Sequence, residues 1–196
     1  PHTDEDGGIE RYVAVERDVT ERKEREIQIE GQNERLEGLN NTNRMLRDIN
    51  RDLVGASTRQ EIEGRVCERF TGSSLFDAGW VVERTLVDGS YRVRTGVDDR
   101  GSPERWTERL AASEWAPVDR ALDDGEPVFL DPDESPVGDD SHCVVVPLTY
   151  HDADYGALVV TTATEDAFDA VERDLFADLG PTVADAISAA ESKQTL

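Results

Sequence analysis

Apolar positions recur with a seven-residue spacing in the first third of the chain. Ile29, Leu36, Asn43 and Asn50 fall on one heptad position, and Gln32, Leu39, Leu46 and Leu53 on the other. No proline interrupts residues 21–53, so the pattern predicts a long helix with a coiled-coil seam. Asparagine at an a position sets register at a cost in stability, which favours a parallel pair of helices. The predicted seam of a homodimer is therefore Ile29, Leu36, Leu39, Asn43, Leu46, Asn50 and Leu53, with Ile49 lying off it.

The pattern changes after Gly55-Ala56-Ser57. Thr58 to Glu61 has the spacing of a capping box. Behind it Ile62, Val66, Cys67 and Phe70 share one helix face. Ala78–Val82 reads as a buried strand. Asp88-Gly89 predicts a hairpin turn into a second strand in which Tyr91, Val93, Thr95 and Val97 alternate. After a polar stretch with Trp106 and Trp115, Val118, Ala121 and Leu122 predict a short helix ended by Gly125. Three strands follow, over 127–130, 143–150 and 155–162, the last two joined by His151–Asp154. Asp169 and Glu172 open a closing helix with a stripe from Val171 to Ile187, which Gly180-Pro181 should kink or split. This order predicts an α+β architecture, an antiparallel sheet with terminal helices on one face, preceded by the helical linker.

Charge adds a setting. Asp and Glu total 44 against 21 basic residues, for a formal charge of −23. The periodic apolar stripes argue against disorder, the usual outcome of such a balance. Only Lys23 and Lys193 are lysines. Acidic, lysine-poor chains resemble proteins of halophilic archaea, where molar salt shortens the screening length to about 3 Å and dense carboxylates stop repelling at distance. Such a surface excludes duplex DNA as a ligand, since that affinity comes from Lys and Arg on phosphates. No run of about 18 apolar residues suggests a membrane span. Cys67 and Cys143 have neither metal nor CxxC spacing, so a reducing, cytoplasmic setting is expected.

Two segments carry a resemblance. Asp18-Val19-Thr20-Glu21-Arg22-Lys23 follows a short strand beginning at Ile9 and resembles the signature that closes PAS domains. Val145–Thr162, with Pro147, Leu148, Gly156, Leu158 and Val160, resembles the last hairpin of GAF domains, and Phe168–Gly180 resembles their closing helix. The implied division is a PAS remnant over 1–22, a coiled-coil linker over 23–54 and a GAF domain over 55–196. Together these segments resemble the bacterio-opsin activator-like regulators of haloarchaea.

That resemblance implies a non-enzymatic sensory or relay region of a transcription regulator whose DNA-binding domain lies elsewhere. The alternatives are the sensor region of a PAS/GAF histidine kinase, or a pure dimerisation scaffold. A small-molecule pocket is expected between the sheet and the segment covering it, with Trp80, Val82, Tyr91 and Val93 from strands and Trp106, Trp115 and Phe129 from the cover. The ligand itself is not specified, and no cofactor or metal is implied. His142 and Cys143 are neighbours in a strand, whose side chains point to opposite faces, so they make no dyad. The Asp131 loop lacks the glycine and glutamate of a calcium loop, carrying Pro136 and His142 there.

Overall fold

The computed structural model describes residues 2–3, 9–11, 23–25, 28–29, 44–45, 47–73, 75–85, 89–98, 115–135, 141–164, 168 and 170–194. The chain divides into two compact units, Pro1–Glu37 and Gly38–Leu196. In the first, β1 (His2–Thr3) pairs antiparallel with β2 (Ile9–Arg11). Residues 23–25 and 28–29 are helical, and Ile29 is 54% exposed. Most of the Asp18–Lys23 motif, and Leu36, Leu39, Asn43 and Leu46 of the predicted seam, lie outside the described residues.

The second unit contains α1 (residues 47–54), α2 (Arg59–Thr71), β3 (Ala78–Arg84), β4 (Tyr91–Asp98) and α3 (Ala116–Asp124). There follow β5 (Val128–Leu130), β6 (His142–Tyr150), β7 (Ala153–Thr162) and α4 (Ala170–Gln194). The strands form one antiparallel sheet in the order β4-β3-β7-β6-β5. The expected α+β architecture is thus present. No helix among the described residues is long and apolar enough to cross a membrane.

Both faces of the central strands are covered, which is why β6 reads as an almost unbroken apolar run. Val144, Val146, Leu148, Leu158 and Val160 face α1, α2 and α4. Cys143, Val145, Ala157 and Val159 face the side capped by α3. All five phenylalanines of the chain meet in the helix-side core. Phe70 stacks on Phe176 at 5.6 Å, and Phe168 lies 5.6 Å from both Phe129 and Phe176. Each such contact contributes about 0.5–1.5 kcal/mol beyond burial.

Local chemistry sets the helix ends. Thr58 caps α2: the Glu61 amide donates to its hydroxyl at 3.2 Å, while the Glu61 carboxylate accepts from the Ser57 amide at 2.7 Å. The reciprocal bond therefore lands one residue before the cap. Pro117 lies in the first turn of α3, and Gly125 ends that helix.

Four expectations change. The closing helix is not split: α4 runs from Ala170 through Pro181 to Gln194. Pro181 is exposed, so its ring meets solvent. Gly180 serves the packing, because a Cβ there would lie 2.4 Å from the Pro147 carbonyl oxygen. Second, the alternation of β4 breaks at a bulge opposite Val81 and Val82. Tyr91 and Val93 keep to the α3 side, whereas Val97 packs on the helix side. Third, Leu53 belongs to the core rather than to a free seam. It is 8% exposed and packs there with Ile49 and Met45, the i, i+4, i+8 stripe of this helix, while Asn50 points outward. Fourth, Phe129 packs on the helix side of the sheet rather than under α3.

Candidate functional site

The sheet face under α3 gathers most of the predicted ligand residues. Trp80 and Val82 project from β3, and Tyr91 and Val93 from β4. Trp115, just before α3, closes on Tyr91 with ring centroids 5.1 Å apart. Trp80 is fully buried because its cross-strand partner is Gly96, where a Cβ would lie 2.1 Å from the indole. A side chain at that position would displace the ring. Val118 and Ala121 of α3 complete the layer.

One polar pair sits in this apolar setting. The Tyr91 hydroxyl donates to the Asp119 carboxylate at 2.5 Å. Burial, and then the hydrogen bond to Asp119, push the Tyr91 phenol well above its ordinary value. The hydroxyl therefore remains a donor at any physiological pH. Arg84 approaches the same carboxylate at 4.0 Å. An apolar floor with a few convergent polar groups is the usual form of a small-molecule site.

One predicted lining residue is not part of this group. Phe129 lies on the opposite side of the sheet, against Phe168 and Phe176, with the Arg173 guanidinium 4.2 Å from its ring centroid. β5 is an edge strand of three residues, too short for alternation to reveal its facing. Trp106 lies outside the described residues.

The helix side holds an ionic cluster that periodicity did not reveal. Glu63 of α2 is 1% exposed, yet it accepts from Arg59 Nε at 2.7 Å and from Arg94 Nε at 2.8 Å. Glu83 of β3 accepts from Arg59 and Arg94, each at 3.0 Å, and from Arg92. Arg59 also donates to the Tyr155 carbonyl at 2.8 Å and reaches Glu191 of α4 at 3.6 Å. Burial raises the Glu83 carboxyl, but the Arg92 hydrogen bond and the charges of Arg94 and Arg59 outweigh it and hold the group below its ordinary range. The available signal was the i, i+4 pair Arg59–Glu63 at the start of α2.

The thiols carry no nucleophilic chemistry. Both are fully buried, and burial pushes each up to about 12. A cysteine attacks only as its thiolate. His142 lies 3.5 Å from Asp131 at the sheet edge.

Residues 56–188 match the family model described as GAF domain. The chain belongs to the GAF family, and its sheet, α3 cap and flanking helices are the parts of that fold. Among curated proteins it is 36% identical, over 89% of its length, to a Haloferax volcanii protein assigned as a transcriptional regulator. It is 28% identical, over its full length, to the bacterioopsin transcriptional activator of Halobacterium salinarum. The chain spans about a third of each, 31% and 30% of their lengths. Solved structures agree on the fold. The GAF domain of a Coxiella burnetii phosphoenolpyruvate-protein phosphotransferase superposes with TM-score 0.63 at 19% identity, covering 81% of this chain and 99% of that one. A free methionine-R-sulfoxide reductase from Neisseria meningitidis, solved with its substrate, gives TM-score 0.60 at 15% identity, covering 78% and 91%. The fold is thus shared by a domain of a phosphotransferase and by a reductase, and it does not by itself decide what this chain does.

Proposed function

We propose that this chain is the sensory and relay region of a haloarchaeal transcription regulator, and that its GAF domain takes a small molecule on the sheet face under α3. The observation that carries the reading is the grouping of Trp80, Tyr91 and Trp115 around the Tyr91–Asp119 hydrogen bond. The apolar rings would take the body of the ligand, and Asp119 would orient a donor on it. Similarity to two haloarchaeal regulator sequences supports the regulatory setting. DNA binding belongs to another part of the full protein. The heptad residues Leu36, Leu39, Asn43 and Leu46 support a parallel pairing of two chains along the linker.

The test is to purify the chain from a halophilic host in molar KCl and to identify by mass spectrometry what denaturation releases. One stoichiometric small molecule is expected, raising the melting temperature when added back. Tyr91→Ala with Trp115→Ala should lose it. Wild-type protein that releases nothing would leave this face a packing layer.

A further inference from the structure

We infer that the cleft where β3 and β7 part binds a small zwitterion, an amino acid whose carboxylate meets Arg84 and whose ammonium meets Asp154. The site is separate from the aromatic layer under α3 and does not rest on it.

The cleft is built into the sheet. β3 and β7 pair only as far as Val82 and Ala157, yet β3 runs on to Arg84 and β7 starts back at Ala153. Gly156 marks the point of separation. Its φ is 97°, and a Cβ there would lie 2.0 Å from the Val82 carbonyl oxygen. Past that point β3 stays with β4 through the Arg84–Tyr91 pair, and β7 stays with β6 through the Ala153–Tyr150 pair. The gap is a cavity of about 820 Å³ lined by Glu83, Arg84, Arg92, Asp154 and Gly156. That volume is within the usual range of small-molecule sites.

The charges in the cleft select the ligand. On the helix side Arg59 closes the gap, donating to the Tyr155 carbonyl at 2.8 Å and to Glu83 at 3.0 Å. Arg92 is committed to Glu83. The charges left over stand on the two walls. Arg84, at the end of β3, is 58% exposed, and its approach to Asp119 at 4.0 Å is too long for a hydrogen bond. Asp154, near the start of β7, accepts from the Gly156 amide at 2.7 Å on one oxygen, and its second oxygen has no partner among the described residues. A simple anion at Arg84 would also meet Asp119 and Asp154, and a simple cation at Asp154 would also meet Arg84. A zwitterion answers both walls. Exposed ion pairs are individually weak and are screened by salt. A ligand carrying both charges on one frame makes its second contact intramolecular, and its carboxylate can take a guanidinium through two parallel hydrogen bonds.

The test is calorimetric titration of the full chain in molar KCl with glycine, β-alanine, 4-aminobutyrate, leucine and phenylalanine, each beside its N-acetyl and methyl-ester forms. At least one free amino acid should bind saturably, and blocking either of its ends should weaken it by roughly tenfold or more. Arg84→Gln and Asp154→Asn should each weaken it as much. Asp154→Asn keeps an oxygen for the Gly156 amide, so the parting of the strands is preserved. Trp115→Ala disturbs the aromatic layer and should leave this binding unchanged. The inference is overturned if no free amino acid binds, if the blocked forms bind equally well, or if both charge variants keep full affinity. Loss of binding in Trp115→Ala, with both charge variants unaffected, would also overturn it by moving the amino acid under α3.

Discussion

Replacing Glu63 by alanine tests whether the buried ionic cluster holds the GAF domain together. Glu63 is 1% exposed and joins Arg59 of α2 to Arg94 of β4. Its removal leaves two guanidinium groups partly buried, with side-chain exposures of 19% and 22%. Breaking one partner of a buried pair costs about 3–5 kcal/mol. Both arginines retain Glu83, and Arg59 retains the Tyr155 carbonyl, so the lower end of that range applies. In a domain of this size 1 kcal/mol moves the melting temperature by about 2–4 °C. The expected drop is therefore about 6–12 °C. Arg92→Ala is the control: Arg92 is 62% exposed in its pair with Glu83, and exposed pairs contribute at most about 1 kcal/mol. Melting would be followed by circular dichroism at about 0.1 M and at molar KCl, since salt screens exposed charges far more than buried ones. The Glu63 penalty should persist at both concentrations. A penalty that disappears in molar salt, or one no larger than that of Arg92→Ala, would refute the reasoning.

Three further outcomes follow from the charge distribution and the core. With a net charge of −23, the wild-type melting temperature should climb as KCl rises from about 0.1 M toward molar values, where screening shortens to about 3 Å; a flat response would contradict the halophilic reading. The folded state holds the Glu83 carboxyl below its ordinary range, so its contribution is present above about pH 4.3 and is lost as pH falls through the lower folded value; in urea titrations Glu83→Gln should be less stable at pH 7 and should lose less on acidification. Both thiols are pushed up to about 12, so their contribution is complete below the ordinary thiol value near 8.5 and is lost as pH rises toward the folded one; Cys67→Ala with Cys143→Ala should flatten that alkaline limb.

The order of elements was legible because each carries its own local signal. The capping box at Thr58, the alternation from Tyr91, the glycine ending α3 and the apolar hairpin of β6 and β7 each depend on near neighbours. What escaped depends on contacts across the fold. Nothing near Val93 announces the bulge that turns Val97 toward the helices. The heptad count placed Leu53 in a seam, but the domain's own core competes for the same leucine and takes it together with Ile49. In the candidate site, five of the seven named residues share one face, because strand parity fixes four of them and the Trp115 position follows from α3. Phe129 failed where parity had only three residues to work with. The ionic cluster escaped because its members come from α2, β3, β4 and α4, and of its ion pairs only Arg59–Glu63 joins residues within one helical turn.

The aromatic face and the ionic cluster are not independent, since they occupy opposite faces of the same pair of strands. Along β3, Trp80 and Val82 face the α3 layer while Val81 and Glu83 face the helices. Along β4, Tyr91 and Val93 face α3, and Arg92 and Arg94 reach Glu83 and Glu63 on the helix side. Side chains of neighbouring strand residues share a rigid backbone, so a shift of the hairpin that accommodates a molecule under α3 must also displace the arginines. Those arginines hold Glu63 near the start of α2, and Arg59 there reaches Glu191 near the end of α4. Strand alternation thus supplies a physical link from the aromatic face to α2 and α4. For such a link to carry a signal, the ion pairs must have two arrangements that a ligand favours unequally. Hydrogen exchange of α2 and α4, with and without a bound molecule, would measure that difference. It should vanish in Glu63→Gln if the cluster transmits it, and it should survive if the helices respond by another route.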